Sequence, residues 1–358
     1  MELKPCSECG VPEIMTSEHR WLDNGDIVQS RAQTSRILFI ETENLDPLFR
    51  NIAQIIGSDI EHMIITTARR AFGVYLKAFV PKATREKIQK KELDYEPIDA
   101  IFRDLGRMNG AGSYDFVDMR YEQDEQDYQT ISISEPYSLP MVVAAHVGAI
   151  ECLLGVDQGY KYEEVSPNVY NVTAFPSSHP MELKERMWFE PYHHRDGDIE
   201  LERCETCGGP KVLEGYQWHP DRGVILSKAT GRRMAIQSNA QLDPVFHELE
   251  AELGDTIPRV VVEAQRRFTR SGFYTMDDIT DEGNFRSQLA LRGLGNLKQL
   301  EMKRKGMSMR LENVALPLMV IGQAQGFFEI SFGVDTTVDW ELSEERDLEV
   351  EVKPILYA

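Results

Sequence analysis

Cys6-Ser-Glu-Cys9-Gly10-Val-Pro12, near the start of the chain, returns 198 residues later as Cys204-Glu-Thr-Cys207-Gly208-Gly-Pro210. Working outward from this pair, a tryptophan follows each (Trp21, Trp218), and then a Gly-x-Ile (Gly25 to Ile27, Gly223 to Ile225). Leu45-Asp46-Pro47-Leu-Phe49 matches Leu242-Asp243-Pro244-Val-Phe246, Gly57 matches Gly254, and Arg69-Arg70 matches Arg266-Arg267, now 197 residues apart. Gly110-Ala-Gly112 matches Gly293-Leu-Gly295 at a spacing of 183, which puts an insertion near residues 80–100 of the first copy. The last anchor is Gly148-Ala-Ile-Glu151-Cys-Leu-Leu-Gly155-Val-Asp157 against Gly326-Phe-Phe-Glu329-Ile-Ser-Phe-Gly333-Val-Asp335, at 178. Anchors kept in one order, with a spacing that drifts only through insertions, predict an internal duplication. The expected boundaries are a first copy over 1–180, a linker over 181–200 and a second copy over 201–358, with the copies related by a pseudo-twofold axis.

Each copy reads as α+β. A hairpin is expected after each cysteine pair, turning at Asn24-Gly25 and Arg222-Gly223. Asp46-Pro47 and Asp243-Pro244 read as helix starts, because Asp caps free N–H groups and Pro suits the first turn. Ile52, Ile55, Ile56, Ile60, Met63, Ile64, Thr67 and Ala71 space an amphipathic helix or helix pair broken near Gly57, with Arg69-Arg70 and Arg266-Arg267 at the helix ends. Alternating strands follow at Gln129 to Ser134 and Met309 to Val314. Apolar helices then run from Leu139 to Leu154 and Leu316 to Phe332, and last strands from Tyr170 to Phe175 and Leu348 to Val352.

The 358 residues carry a net charge of −20. The acid is spread evenly: residues 1–180 hold 17 basic and 28 acidic side chains. With no basic stripe, nucleic-acid binding and attraction to anionic lipid are not expected. The opening residues lack the apolar run of a signal peptide, and no stretch is apolar enough to insert in a membrane, so a cytoplasmic location is expected.

Four of the five cysteines sit in the two Cys-x-x-Cys pairs, a usage that reads as metal or redox chemistry. Such a turn presents two thiolates, and a structural zinc wants four tetrahedral ligands. Each copy supplies only two. His19 lies two residues before Trp21, whereas His219 lies one after Trp218, so neither copy offers a matching second pair. The simplest closed shell joins the copies: Cys6, Cys9, Cys204 and Cys207 around one Zn²⁺ per chain. Two separate sites, a redox dithiol and free cysteines stay open as alternatives. Redox pairs usually precede a helix after a strand, and Pro12 and Pro210 argue against that.

From Leu105-Gly106-Arg-Met-Asn-Gly110-Ala-Gly112 through the strands ending at Ile133, the helix from Pro140 to Gly155 and the strand from Tyr170 to Phe175, the first copy resembles the 4-vinyl reductase domain. Gly293-Leu-Gly295 through Val352 carries the same pattern in the second. The family is named after an enzyme of bacteriochlorophyll synthesis. The resemblance implies small α+β modules that hold hydrophobic molecules between helices and sheet, in regulators of aromatic compounds and in pigment biosynthesis. The C-terminal cysteines that hold metal in some members are absent from 165–175 and 341–354.

Several other residues are candidates. Glu151 and Glu329 recur inside apolar runs, either on the wet side of a helix or aimed into a pocket. Arg70 and Arg267 read as surface charge near helix ends or as contacts to a ligand's acid group. Phe328, with Phe327, Tyr160, Tyr162 and Phe72, reads as core or as a pocket wall. Cys152, matched by Ile330, reads as core, and His193-His194 as linker. Walker, Rossmann, Gly-x-Ser-x-Gly and His-Glu-x-x-His signatures are missing. The sequence therefore predicts a non-catalytic, zinc-containing sensor for a small apolar or aromatic molecule, acting through a protein partner of unknown identity. An enzyme or accessory subunit of aromatic or tetrapyrrole metabolism, and a zinc-knuckle scaffold, are the alternatives.

Overall fold

A computed structural model describes residues 4–30, 36–178, 194–275 and 282–355. The expected linker falls mostly outside them, including Trp188, Pro191 and His193. The chain is mixed α+β with three antiparallel sheets.

After the first cysteine pair come helix α1 (Glu13–Glu18) and strands β1 (His19–Trp21), β2 (Ile27–Gln29) and β3 (Arg36–Glu41). Helices α2 (Leu45–Ile56), α3 (Glu61–Phe79), α4 (Lys82–Gln89) and α5 (Glu96–Met108) follow, then β4 (Ser113–Arg120), β5 (Tyr128–Ser134), α6 (Leu139–Leu154), β6 (Gln158–Ser166) and β7 (Val169–Pro176). The second half runs β8 (Tyr216–His219), β9 (Val224–Ser227), β10 (Arg233–Ser238), α7 (Asn239–Leu253), α8 (Ile257–Phe268) and α9 (Glu282–Leu291). It ends in β11 (Asn296–Lys303), β12 (Gly306–Glu312), α10 (Pro317–Phe332), β13 (Thr336–Leu342) and β14 (Leu348–Pro354).

The sheets are ordered β4-β5-β7-β6, β11-β12-β14-β13 and β1-β2-β3-β10-β9-β8. In the last, β3 and β10 pair antiparallel at the centre, from Met234 opposite Glu41 to Ser238 opposite Ile37. Their alternating side chains serve two cores, as a pleated strand dictates. Ile37, Phe39, Met234 and Ile236 pack with the cysteine knuckles and Trp21. Leu38, Ile40 and Ala235 face the main core with the helices.

The helices follow from apolar spacing. In α2, Leu45, Leu48, Phe49 and Ile52 are buried, one stripe of the helical period. The helix packs across onto α8, while α7 packs on α3. Two expectations shift. Asp243-Pro244 does not start α7, which begins at Asn239 and carries Pro244 inside. Arg69-Arg70 does not end α3, which runs on to Phe79, whereas Arg266-Arg267 do lie in the last turn of α8. The insertion region folds as α4.

Contacts between the halves come in matched pairs. Gly112 N–H donates to Gly223 O (3.0 Å) and Gly295 N–H to Gly25 O (3.3 Å). Phe39 N–H donates to Arg292 O (3.0 Å) and Ile236 N–H to Asn109 O (2.8 Å). The approach at the turns is so close that a Cβ on Gly25 would sit 2.2 Å from Gly295 O, and one on Gly223 2.0 Å from Gly112 O. Any side chain at Gly25 or Gly223 would push the halves apart.

Candidate metal centre and cavities

The knuckle backbones fold alike. Cys6 N–H donates to Val11 O (2.8 Å) and Gly10 N–H to Cys6 O (3.0 Å). Cys204 N–H donates to Gly209 O and Gly208 N–H to Cys204 O, both at 2.9 Å. Gly10 and Gly208 both take the left-handed conformation at positive φ. That conformation costs most other residues about 1 kcal/mol. Backbone N–H groups of Cys9 and Glu8 point at the Cys6 sulfur and lower its pKa to about 7, while burial pushes the Cys9 thiol up to about 12.

Across the halves, Cys6 Sγ lies 3.7 Å from Cys204 Sγ, and Cys9 Sγ 3.6 Å from Cys207 Sγ. All four sulfurs fall within 4.8 Å of one another. These separations are too long for disulfides. They suit the edges of a tetrahedron, because four thiolates at about 2.3 Å from a metal stand about 3.8 Å apart. The residues therefore fit a four-thiolate metal site, with two ligands from each half. Glu8 braces it across the halves, its carboxylate accepting from Thr206 Oγ1 (2.8 Å) and N–H (3.1 Å). His19 is not a ligand: it is buried, with Nδ1 3.1 Å from Met15 O.

Two cavities flank the central strand pair. The larger, about 600 Å³, is walled mainly by apolar side chains of α3, α5 and α6, among them Phe72, Leu76, Phe79, Phe102 and Ala149. Ile236, Gln237 and Ser238 of β10 close it from the other half. A buried polar row crosses its wall. Arg103 pairs with Asp99 and donates to Glu96 (2.7 Å), Gln129 Nε2 donates to Asp99 (2.7 Å), and His146 lies beside Gln129 O. Burial lowers the pKa of His146 and favours its neutral form.

The smaller cavity, about 280 Å³, lies among Tyr216, Met234, Phe285, Leu289, Gln323 and Phe327, with Glu41 of β3 reaching in from the first half. Arg292 pairs with Glu41 there. Burial opposes both charges, but their attraction holds Glu41 below and Arg292 above its ordinary pKa. Arg232 stacks over Phe273 and Tyr274, at 4.7 and 5.0 Å from the ring centres.

Of the aromatics expected in a pocket wall, Phe72 and Phe327 line these two cavities. Glu151, Glu329, Arg70, Arg267 and Phe328 line neither. Glu329 is buried, accepts from Thr336 N–H (3.0 Å) and Oγ1 (2.7 Å), and pairs with Arg266 (2.7 Å). Glu151 accepts from Gln158 N–H (2.9 Å) beside Arg69. Each glutamate thus ties an apolar helix to the strand after it; Glu329 is sealed from solvent, whereas Glu151 keeps partial contact with it. Arg70 pairs with Glu248 at 3.7 Å, and the half-exposed Arg267 with Glu263 at 2.8 Å. Phe328 is sealed in the core against Phe332. Cys152 is core as expected, packed with Leu76 and Ala149. His194 is half exposed, next to Asn24. The expected linker is pinned where it is described, with Asp198 accepting from Arg286, Asn296 and Lys298.

Asp99, Arg103, His146 and Gln237 escaped the sequence reading. The spacing of Asp99 and Arg103 by one helical turn was a usable signal for an ion pair. Nothing local marks Gln237.

No known family model matches the chain, and no curated protein matches it. Among solved structures, a point mutant of T. Tengcongensis H-NOX is similar at 14% identity, covering 41% of this chain and 87% of that one with a TM-score of 0.24. A Cs H-NOX mutant carrying 4-cyano-L-phenylalanine is similar at 14% identity, covering 41% and 88%, with a TM-score of 0.23. Likenesses this slight carry no argument about fold or function. None of the described helices is long and apolar enough to cross a membrane.

Proposed function

We propose that this chain is a non-catalytic sensor. Two copies of one 4-vinyl reductase-like module, over 1–180 and 201–358, are tied by a single structural Zn²⁺ and hold a small apolar or aromatic molecule for a protein partner. The observation that carries the reading is the larger cavity, apolar-walled with a few buried polar groups. That is the usual make-up of a small-molecule site. The duplication is supported by the identical order of the two four-stranded sheets and by the reciprocal contacts. In those contacts a residue and its counterpart exchange roles, as across a twofold interface.

Cys6, Cys9, Cys204 and Cys207 would hold the zinc, which supplies cross-linking of the halves and no reaction step. Zinc suits a closed four-thiolate shell, and iron shares that preference. Metal analysis of purified chain tests it: one zinc per chain is expected, while iron or two zincs would discard this assignment. For the ligand, a thermal-shift screen of apolar and aromatic compounds should raise Tm, since a ligand that binds only the folded state stabilises it by mass action. A library without a single stabilising compound would end the sensor reading. The enzyme reading draws on His146, a buried imidazole in the cavity wall. Chemical conversion of a bound compound, lost in His146→Gln, would favour it over sensing.

A further inference from the structure

Gln237 sits on β10 between Ile236 and Ser238 and lines the larger cavity. Its side chain is nearly sealed from solvent, with the residue 4% exposed. Neither its Nε2 nor its Oε1 has a hydrogen-bond partner among the described residues. A buried amide with both ends unmet is unfavourable, and native proteins meet such groups with protein, water or ligand. Gln29, on another wall, donates Nε2 to the Tyr75 hydroxyl and leaves its Oε1 unmet.

The charges in the same wall are already answered. Asp99 is paired with Arg103, which also bonds Glu96. Half-buried Glu18 and Asp104 also line it, and Asp104 accepts from Arg107 at 2.9 Å. The cavity therefore offers an incoming molecule apolar surface and neutral hydrogen-bonding groups, and burying a carboxylate there costs its hydration.

We propose that the larger cavity selects a neutral, largely apolar molecule bearing a carboxamide or lactam, which pairs amide to amide with Gln237. The proposal rests on the cavity reading above and adds the ligand's polar chemistry. A site that hydrogen-bonds a particular group discriminates strongly against analogues lacking it, because its own polar atoms are then left unpaired.

Titration calorimetry on the metal-loaded full chain with naphthalene, 2-naphthamide and 2-naphthoate tests this. The amide is expected to bind at least tenfold tighter than naphthalene, and the carboxylate weakest. Gln237→Leu should erase the amide's advantage and leave naphthalene affinity within about twofold. Gln237→Met serves if the leucine variant misfolds, and should either variant unfold the wild-type ranking alone decides. A wild-type preference for naphthoate, or no preference for the amide, overturns the proposal, as does an advantage that survives in a folded variant. If naphthalene binds without amide selectivity, only the proposal falls. If none of the three binds, the cavity reading falls with it.

Discussion

The two cavities lie on either side of one strand pair, yet the first is about twice the size of the second. Their walls show why when one is laid over the other in the register of the sequence repeat. Ala145 and Ala149 of α6 in the larger cavity stand where Gln323 and Phe327 of α10 stand in the smaller. Asn109 and Ala111 stand where Arg292 and Leu294 do, and Ser238 where Glu41 does. Around the smaller cavity a phenylalanine ring and a buried Arg–Glu pair fill space that small side chains leave open around the larger. On the duplication proposed above, a handful of side-chain volumes sets which of the two cavities is the larger. Both walls hold a buried ion pair, Arg103 with Asp99 in the first and Arg292 with Glu41 in the second.

The largest effect should come from the tie that both regions share. Cys6→Ser, or a strong chelator, should release the metal and strongly destabilise both halves, since structural zinc sites contribute about 10 kcal/mol or more to folding. Coincident loss of metal content and Tm would be seen by atomic absorption and calorimetry, and an unchanged Tm would mean that the cavities stand without the tie.

The comparison can then be reversed. Phe327→Ala should open the smaller cavity at a cost of about 3–5 kcal/mol and create a second naphthalene site, read from denaturant midpoints and binding stoichiometry. Arg292→Asn should cost a similar amount, about 3–5 kcal/mol, by leaving Glu41 buried and unpaired. Adding Glu41→Ser, which copies Asn109 and Ser238 of the larger cavity, should restore much of that loss in a double-mutant cycle.

Acid should separate the regions next. His19 and His146 both line the larger cavity, and the described lining of the smaller contains no histidine. Burial lowers the pKa of His19 to about 4. The unfolded value is about 6.5. Between those values the unfolded chain binds a proton that the folded chain refuses. Stability should therefore fall as the pH drops through that window, by about 2 kcal/mol at about pH 5 from His19 alone. His146 acts in the same direction, because burial lowers its pKa too. Hydrogen exchange in mild acid should show α5 and α6 opening before α9 and α10, and His19→Asn should flatten the pH dependence of stability. The smallest effect is Ala149→Phe, which should lower naphthalene affinity at least tenfold, about 1.4 kcal/mol, with little change in Tm. Unchanged affinity would mean that Ala149 does not set the cavity's volume.

Local pattern was legible where a short-range rule governs it. The break at Gly57 follows from a helix ending where the chain turns left-handed, and the strands around Ile131 and Met309 follow from alternation along a pleat. Asp243-Pro244 misled, because the helix starts upstream at Asn239 and Pro244 sits in its second turn, where it forgoes the backbone bond to Ala240 O. Arg69 misled likewise, since a charge that reads as a helix end is buried mid-helix when Gln158 O and Glu151 receive it.

The sequence by itself determined the spacing of the paired cysteines and that their number called for ligands from both ends of the chain, because thiolate count and tetrahedral valence are properties of residues rather than of shape. Only the tertiary structure decided where the empty volume lies. A cavity is what remains after side chains from α3, α5, α6 and β10 have been brought together. Glu151 and Glu329 turned out to be struts, and Gln237 a cavity wall, because contacts between distant segments assign such roles and no local pattern encodes them.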